Sequence, residues 1–128
     1  LQNVEWKVYL KNLQALNYDI ARAGWIGDYA DPNTFLDMFV TGGPQNQTGW
    51  SSKEYDAMIA AAAKELDPAK RMKIMTDAED FLINTGMPIM PIYFYVNRNL
   101  VKTFVKGMHY NLRDLHPLKY VYIDKSSK

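Results

Sequence analysis

Cysteine is absent from the 128 residues, and histidine occurs only twice. Without thiols there can be no disulfide, no thiolate metal site and no cysteine nucleophile. The two histidines, His109 and His116, have no carboxylate at ligand spacing and read as surface or partly packed side chains rather than metal ligands. Net charge is nearly absent as well. Fifteen Lys and Arg face fourteen Asp and Glu, for a formal charge of +1, which excludes the basic footprint of a nucleic-acid binder. Long apolar runs are missing too. The longest, Met87 to Val96, is about half of a ~20-residue membrane span and is interrupted by Pro88 and Pro91. Nucleophile-elbow, zincin, P-loop and dinucleotide-binding motifs do not occur. The nearest carboxylate pairs are Glu79 with Asp80, which diverge if they lie on a helix, and Asp28 with Asp31. The chain therefore reads as a non-enzyme without a cofactor. It is large enough for one core, and it opens at Leu1 inside a patterned segment, as a piece of a longer protein would.

What is present organises into helices first. Trp6, Tyr9, Leu13 and Leu16 fall at helical spacing, predicting a helix over residues 3–16. Tyr18 to Trp25 alternates and is rich in residues that suit a pleated surface, predicting a strand. Asp31 or Asn33, with Pro32, starts a short helix through Phe35, Leu36, Met38 and Phe39. Thr41 to Gly49 is a surface loop whose Asn46-Gln47-Thr48 fits the glycosylation triplet. Ser51 with Glu54 has capping-box spacing ahead of a helix over about 52–65, with Tyr55, Met58, Ile59, Ala62 and Leu66 inward. Asp67-Pro68 restarts the chain as N-cap and first helical residue. The second helix runs over about 68–84, with Met72, Met75, Ala78, Phe81 and Leu82 inward and Gly86 stopping it. The two helices form a hairpin. Ile89 to Val96 reads as a strand, Lys106-Gly107 as a turn, and Tyr120 to Ile123 as a short strand before the polar residues 124–128. The expected class is α/β or α+β.

One segment carries a different vocabulary. Arg22 to Pro32 (RAGWIGDYADP) places Arg22, Trp25, Asp28 and Tyr29 at a strand end and in the loop after it, with glycines that let another backbone come close. A strand edge can pair with an extended peptide, an aspartate can meet an ammonium, an arginine a carboxylate, and a tryptophan can line a side-chain pocket. The same residues can equally form an Arg22–Asp28 ion pair at a loop base with Trp25 in the core.

The runs ARAGWIGDYADPNTFLDMF, SKEYDAMIAAA and MPIMPIYFYVNRNLVK resemble, in order and spacing, the C-terminal part of the extracytoplasmic oligopeptide-binding proteins of ABC importers, in family 5 of the solute-binding proteins. The resemblance covers nearly the whole chain. It implies the α/β class and the C-terminal part of a two-lobed periplasmic-binding-protein fold, whose lobes close on a ligand by hinge motion. Residues 1–88 would belong to the second lobe, 89–97 to an interlobe hinge strand, and 98–128 to a return segment of the first lobe. By the same resemblance, Asp28 would receive a peptide's N-terminal ammonium. The backbone of Gly24, Trp25 and Ile26 would pair with the peptide main chain, and Trp25 and Trp6 would line side-chain pockets. Arg22 would help to hold a carboxylate, and Tyr95 would touch the ligand.

The implied partners are an oligopeptide and, through the full-length protein, a membrane ABC permease, with no nucleic acid. The implied location is outside the cytoplasm, as a surface lipoprotein or in the periplasm. A binder of dipeptides, nickel complexes or sugars from the same superfamily is an alternative, as is a structural domain without a small ligand. Half a cleft with open strand edges and uncovered apolar faces is also expected to self-associate.

Overall fold

The computed structural model describes residues 2–111 and 113–126 and divides the chain into two compact units, one ending at Pro91 and the other beginning at Ile92. Residues 127 and 128 of the polar tail lie outside the described residues.

The first unit is helical. Helix α1 spans Trp6–Gln14, shorter than the apolar spacing alone suggests, because the Glu5 side chain caps it by accepting the amides of Lys7 (2.9 Å) and Val8 (3.3 Å). It ends where Leu16 takes a left-handed conformation (φ 54°) and packs over Gly49. Residues 18–25 form no strand. The alternation is there, but no neighbouring strand among the described residues pairs with it. Helix α2, Asn33–Leu36, continues as a 3₁₀ turn over Asp37–Phe39, and the Asp31 carboxylate accepts the Asn33 amide at 2.9 Å.

The loop after it is built around one side chain. The Asn46 amide donates to the carbonyls of Phe39 and Val40 (both 3.2 Å) and of Trp50 (3.0 Å), so this asparagine is a structural anchor rather than a free glycosylation acceptor.

Helix α3, Lys53–Lys64, is capped by Ser52, whose hydroxyl accepts the Tyr55 amide at 3.2 Å. The expected cap, Ser51, is instead engaged by the hydroxyl of Thr41 at 3.1 Å. Helix α4 spans Pro68–Asp80 and has the expected Asp67 cap, which accepts the amides of Ala69 (2.9 Å) and Lys70 (3.1 Å). The last turn widens into a π-helical segment, Phe81–Gly86, and Met87 closes it in a left-handed conformation (φ 47°).

The α3–α4 hairpin makes the core. Tyr55, Ile59 and Ala62 face Met75, Ala78 and Leu82, with Leu36 and Phe39 closing the layer. Each large apolar side chain buried here contributes roughly 1.5–3 kcal/mol, taken as an upper estimate. Leu66 and Met72 were expected inside but are 94% and 49% exposed, because α3 ends at Lys64 and Met72 turns off the stripe formed by Met75, Ala78 and Leu82.

The second unit holds little regular structure among its described residues. The expected strand at Ile89 to Val96 does not form. Every residue from Pro91 to Leu100 is exposed and none pairs as a strand. The short strands β1, Val105–Lys106, and β2, Tyr122–Ile123, pair antiparallel with Val105 opposite Ile123. Lys106 is therefore a strand residue and not part of a turn. His116 Nε2 lies 2.6 Å from Asp114 Oδ1, which also accepts from Asn99 at 2.7 Å. No group of three potential metal ligands and no helix long and apolar enough to cross a membrane occurs among the described residues.

Candidate functional site

The site is built on the turn between residue 22 and α2. The Tyr9 hydroxyl, on α1, donates to the Arg22 carbonyl at 2.8 Å, and the Trp6 ring stacks on Tyr9 with centroids 5.2 Å apart. One tether thus brings the half-buried Tyr9 and the exposed Trp6 of α1 beside the start of the predicted site. Beyond it, the backbone groups of Gly24, Trp25 and Ile26 make no hydrogen bond among the described residues. A Cβ on Gly24 would meet nothing within 4 Å. An open stretch of main-chain donors and acceptors is what a second extended chain needs in order to pair.

The turn then doubles back on α2. Gly27 sits at a close approach, since a Cβ there would lie 3.0 Å from the Phe35 ring and 3.1 Å from the Thr34 methyl. Thr34 is buried, and its hydroxyl accepts the Asp28 amide at 3.0 Å. The backbone of Asp28 is therefore fixed while its carboxylate points outward. That carboxylate is exposed and has no hydrogen-bond or ion-pair partner among the described residues.

Three positions further on, Asp31 is the opposite case. The Arg71 guanidinium holds it through two bonds of 2.6 and 2.9 Å. That pairing, followed by the Asn33 amide, keeps its carboxyl below the usual carboxylate range. Next to it, Asn33 donates to both the Tyr29 hydroxyl (3.2 Å) and Asp37 Oδ2 (3.1 Å).

Arg22, Gly24, Trp25, Ile26, Asp28 and Trp6 are thus all exposed on the first unit. Trp25, 37% exposed, does not belong to the core, and Asp28 is not consumed by an ion pair. Tyr95 belongs to the second unit, where it is 77% exposed with its ring 5.6 Å from that of Tyr93.

No known family profile matches the chain. Individual proteins do. The dipeptide-binding protein DppE of Bacillus subtilis is 41% identical over 128 residues, all of this chain and 22% of its own length. The murein tripeptide binding protein MppA of Escherichia coli superposes with a TM-score of 0.84 at 35% identity, over 96% of this chain and 24% of that one. Haemophilus influenzae OppA in complex with the peptide RPPGFSPFR gives 0.83 at 38% identity, over 98% and 24%. The chain belongs to the oligopeptide-binding protein family.

It spans under a quarter of the length of these relatives and matches a C-terminal portion of their two-lobed α/β fold. Most of the relatives it matches are named as peptide-binding proteins, and the OppA proteins of H. influenzae, Salmonella typhimurium and E. coli are periplasmic; a probable deoxycholate-binding periplasmic protein of E. coli is 32% identical over 123 residues.

Sequence reasoning missed Tyr9, Thr34 and Arg71. Tyr9 acts through a bond to a residue thirteen positions on and Thr34 through a bond six positions back, and neither leaves a periodic pattern in the sequence. Arg71 did carry a signal. It stands at positions 71, 75, 78 and 82 with Met75, Ala78 and Leu82, a cation on an otherwise inward stripe, and such a charge needs a partner.

Proposed function

We propose that the protein carrying this chain is the peptide-capturing receptor of an ABC importer and that it makes and breaks no covalent bond. The observation that carries this reading is the pairing of an outward, unpartnered Asp28 carboxylate with the unpaired main chain of Gly24 to Ile26 on one braced turn. Asp28 accepts the peptide's ammonium, whose desolvation is offset by that opposite charge. Gly24, Trp25 and Ile26 bond to the peptide main chain, Trp25 and Trp6 line roomy pockets, and Arg22 meets a carboxylate. Residues 89–97 act as the interlobe hinge, with Tyr95 touching the ligand, and residues 98–128 return to the first lobe. The receptor works outside the cytoplasm, as a surface lipoprotein or in the periplasm, and delivers its peptide to a membrane permease. Alone, the 128-residue chain binds peptide weakly and self-associates through the uncovered side chains around Phe94 and Leu100.

The test is Asp28→Asn in the complete protein, titrated with a short peptide and with its N-acetylated counterpart. Losing a bond to a charged group, about 1.5–3 kcal/mol, corresponds to a roughly 10- to 100-fold weaker Kd for the free peptide, with the acetylated one nearly unchanged. Equal loss for both would remove the assigned role. A second reading, selection of dipeptides, is favoured by the name of the DppE relative. Native mass spectrometry of co-purified ligand separates the two by length.

A further inference from the structure

Arg71 on α4 reaches a residue forty positions earlier. Its Nη1 donates to Asp31 Oδ2 at 2.6 Å and its Nη2 to Oδ1 at 2.9 Å, a fork meeting a fork. Asp31 also accepts the Asn33 amide at 2.9 Å and so sets the start of α2. One residue into that helix, Thr34 reaches back to hold the Asp28 amide. A continuous chain of bonds therefore runs from the helical hairpin, through Asp31 and α2, to the backbone of Asp28.

We infer that Arg71 is a positioning residue of the peptide site: by occupying Asp31 it fixes the turn that carries Asp28 and leaves Asp28, rather than Asp31, to take the peptide's ammonium. This rests on the reading of Asp28 proposed above. Two acids three residues apart on one turn would otherwise compete for the same cation, and the peptide's N-terminus would have two registers. Pairing one acid inside the protein gives a single register. The side chains of Arg71 and Asp31 are each about 30% exposed, so solvent screening keeps the pair's contribution to stability small, and its role is geometric. Lysine is a poor substitute, because a single ammonium cannot make the two parallel bonds that fix the carboxylate plane.

The test uses the complete protein and one readout, the ratio of Kd for an N-acetylated peptide to Kd for the same peptide with a free amine. Wild type should favour the free amine. Arg71→Ala should cut that ratio about tenfold, with the acetylated peptide bound nearly as before, and Arg71→Lys should fall between. Arg71→Ala added to Asp28→Asn should lower the ratio no further than Asp28→Asn alone, because both act on one contact.

A ratio that survives Arg71→Ala but is lost in Asp28→Asn overturns the inference and leaves the reading of Asp28 standing. Equal weakening of both peptides by Arg71→Ala overturns it as well, since that is general damage. A wild type without preference removes both. Should Arg71→Ala fail to fold, Arg71→Lys, which keeps a cation beside Asp31 but not the paired bonds, replaces it. A lowered ratio there supports the inference, and an unchanged one overturns it.

Discussion

The hydroxyl of Tyr55, on a ring with no solvent exposure, donates to the carbonyl of Leu36 at 2.6 Å. This bond fastens α2, and with it the turn carrying Asp28, to the helical hairpin. Tyr55→Phe keeps the ring and its edge-on contact with Trp50 but leaves the Leu36 carbonyl without this donor. The expected cost is about 1–3 kcal/mol, seen as a lower denaturant midpoint at unchanged slope.

Burial raises the Tyr55 phenol above the usual tyrosine range, with the nearby Asp37, Asp56 and Glu79 charges adding to the effect. The unfolded chain therefore loses this proton first. Stability is unaffected below the ordinary tyrosine value and falls as pH rises past it. Tyr55→Phe should remove this part of the alkaline loss, which melting temperatures of the two proteins across pH about 9 to 11 will measure.

Asp31 gives the opposite sign at the acid end. Its folded carboxyl is held low, chiefly by the Arg71 bond, so the unfolded chain takes up the proton first as pH falls. The advantage of wild type over Asp31→Asn should be constant above the ordinary carboxylate value. It should shrink below that value and vanish once pH has passed the lowered one. Paired melting curves from pH about 7 to about 2 test this, and an advantage that persists at the acid end would contradict it.

Gly86 packs under Trp50, where a Cβ would lie 2.5 Å from the indole Cζ2. Gly86→Ala should destabilise by about 1–3 kcal/mol, the usual cost of overfilling a packed site. Trp50→Phe removes the obstructing atoms, so adding it should make the alanine nearly neutral. A double-mutant cycle in denaturant measures that coupling.

Helices were legible in the sequence because what makes them is local. Asp67-Pro68 marked the start of α4, and Tyr55, Ile59, Met75, Ala78 and Leu82 named most of the core by spacing. Caps were legible only to within a residue: Ser51 and Ser52 both fit, and the choice is made by Thr41, ten residues from Ser51. The strands predicted at Tyr18 to Trp25 and Ile89 to Val96 were misread for the opposite reason. Alternation and β-branched content show that a segment suits a sheet, but a ladder needs a second strand, and none pairs with either among the described residues. In the site, Asp28 and Trp25 stood out by composition. Of the braces behind them, Arg71 left a trace as a cation on an inward stripe, but its partner Asp31, and the hold of Thr34 on Asp28, are visible only once the chain has folded back on itself.

The buried cluster of the first unit lies wholly between Leu36 and Leu82, with Ile89 at its margin. Most of its members come from the successive helices α3 and α4, and pairing between adjacent elements of this kind favours rapid assembly. On a ribosome, such a stretch has all of its partners in hand soon after Leu82 emerges. The turn that carries Asp28 would already have left the tunnel by then, so the ligand-facing loop finds its support ready as soon as the hairpin closes.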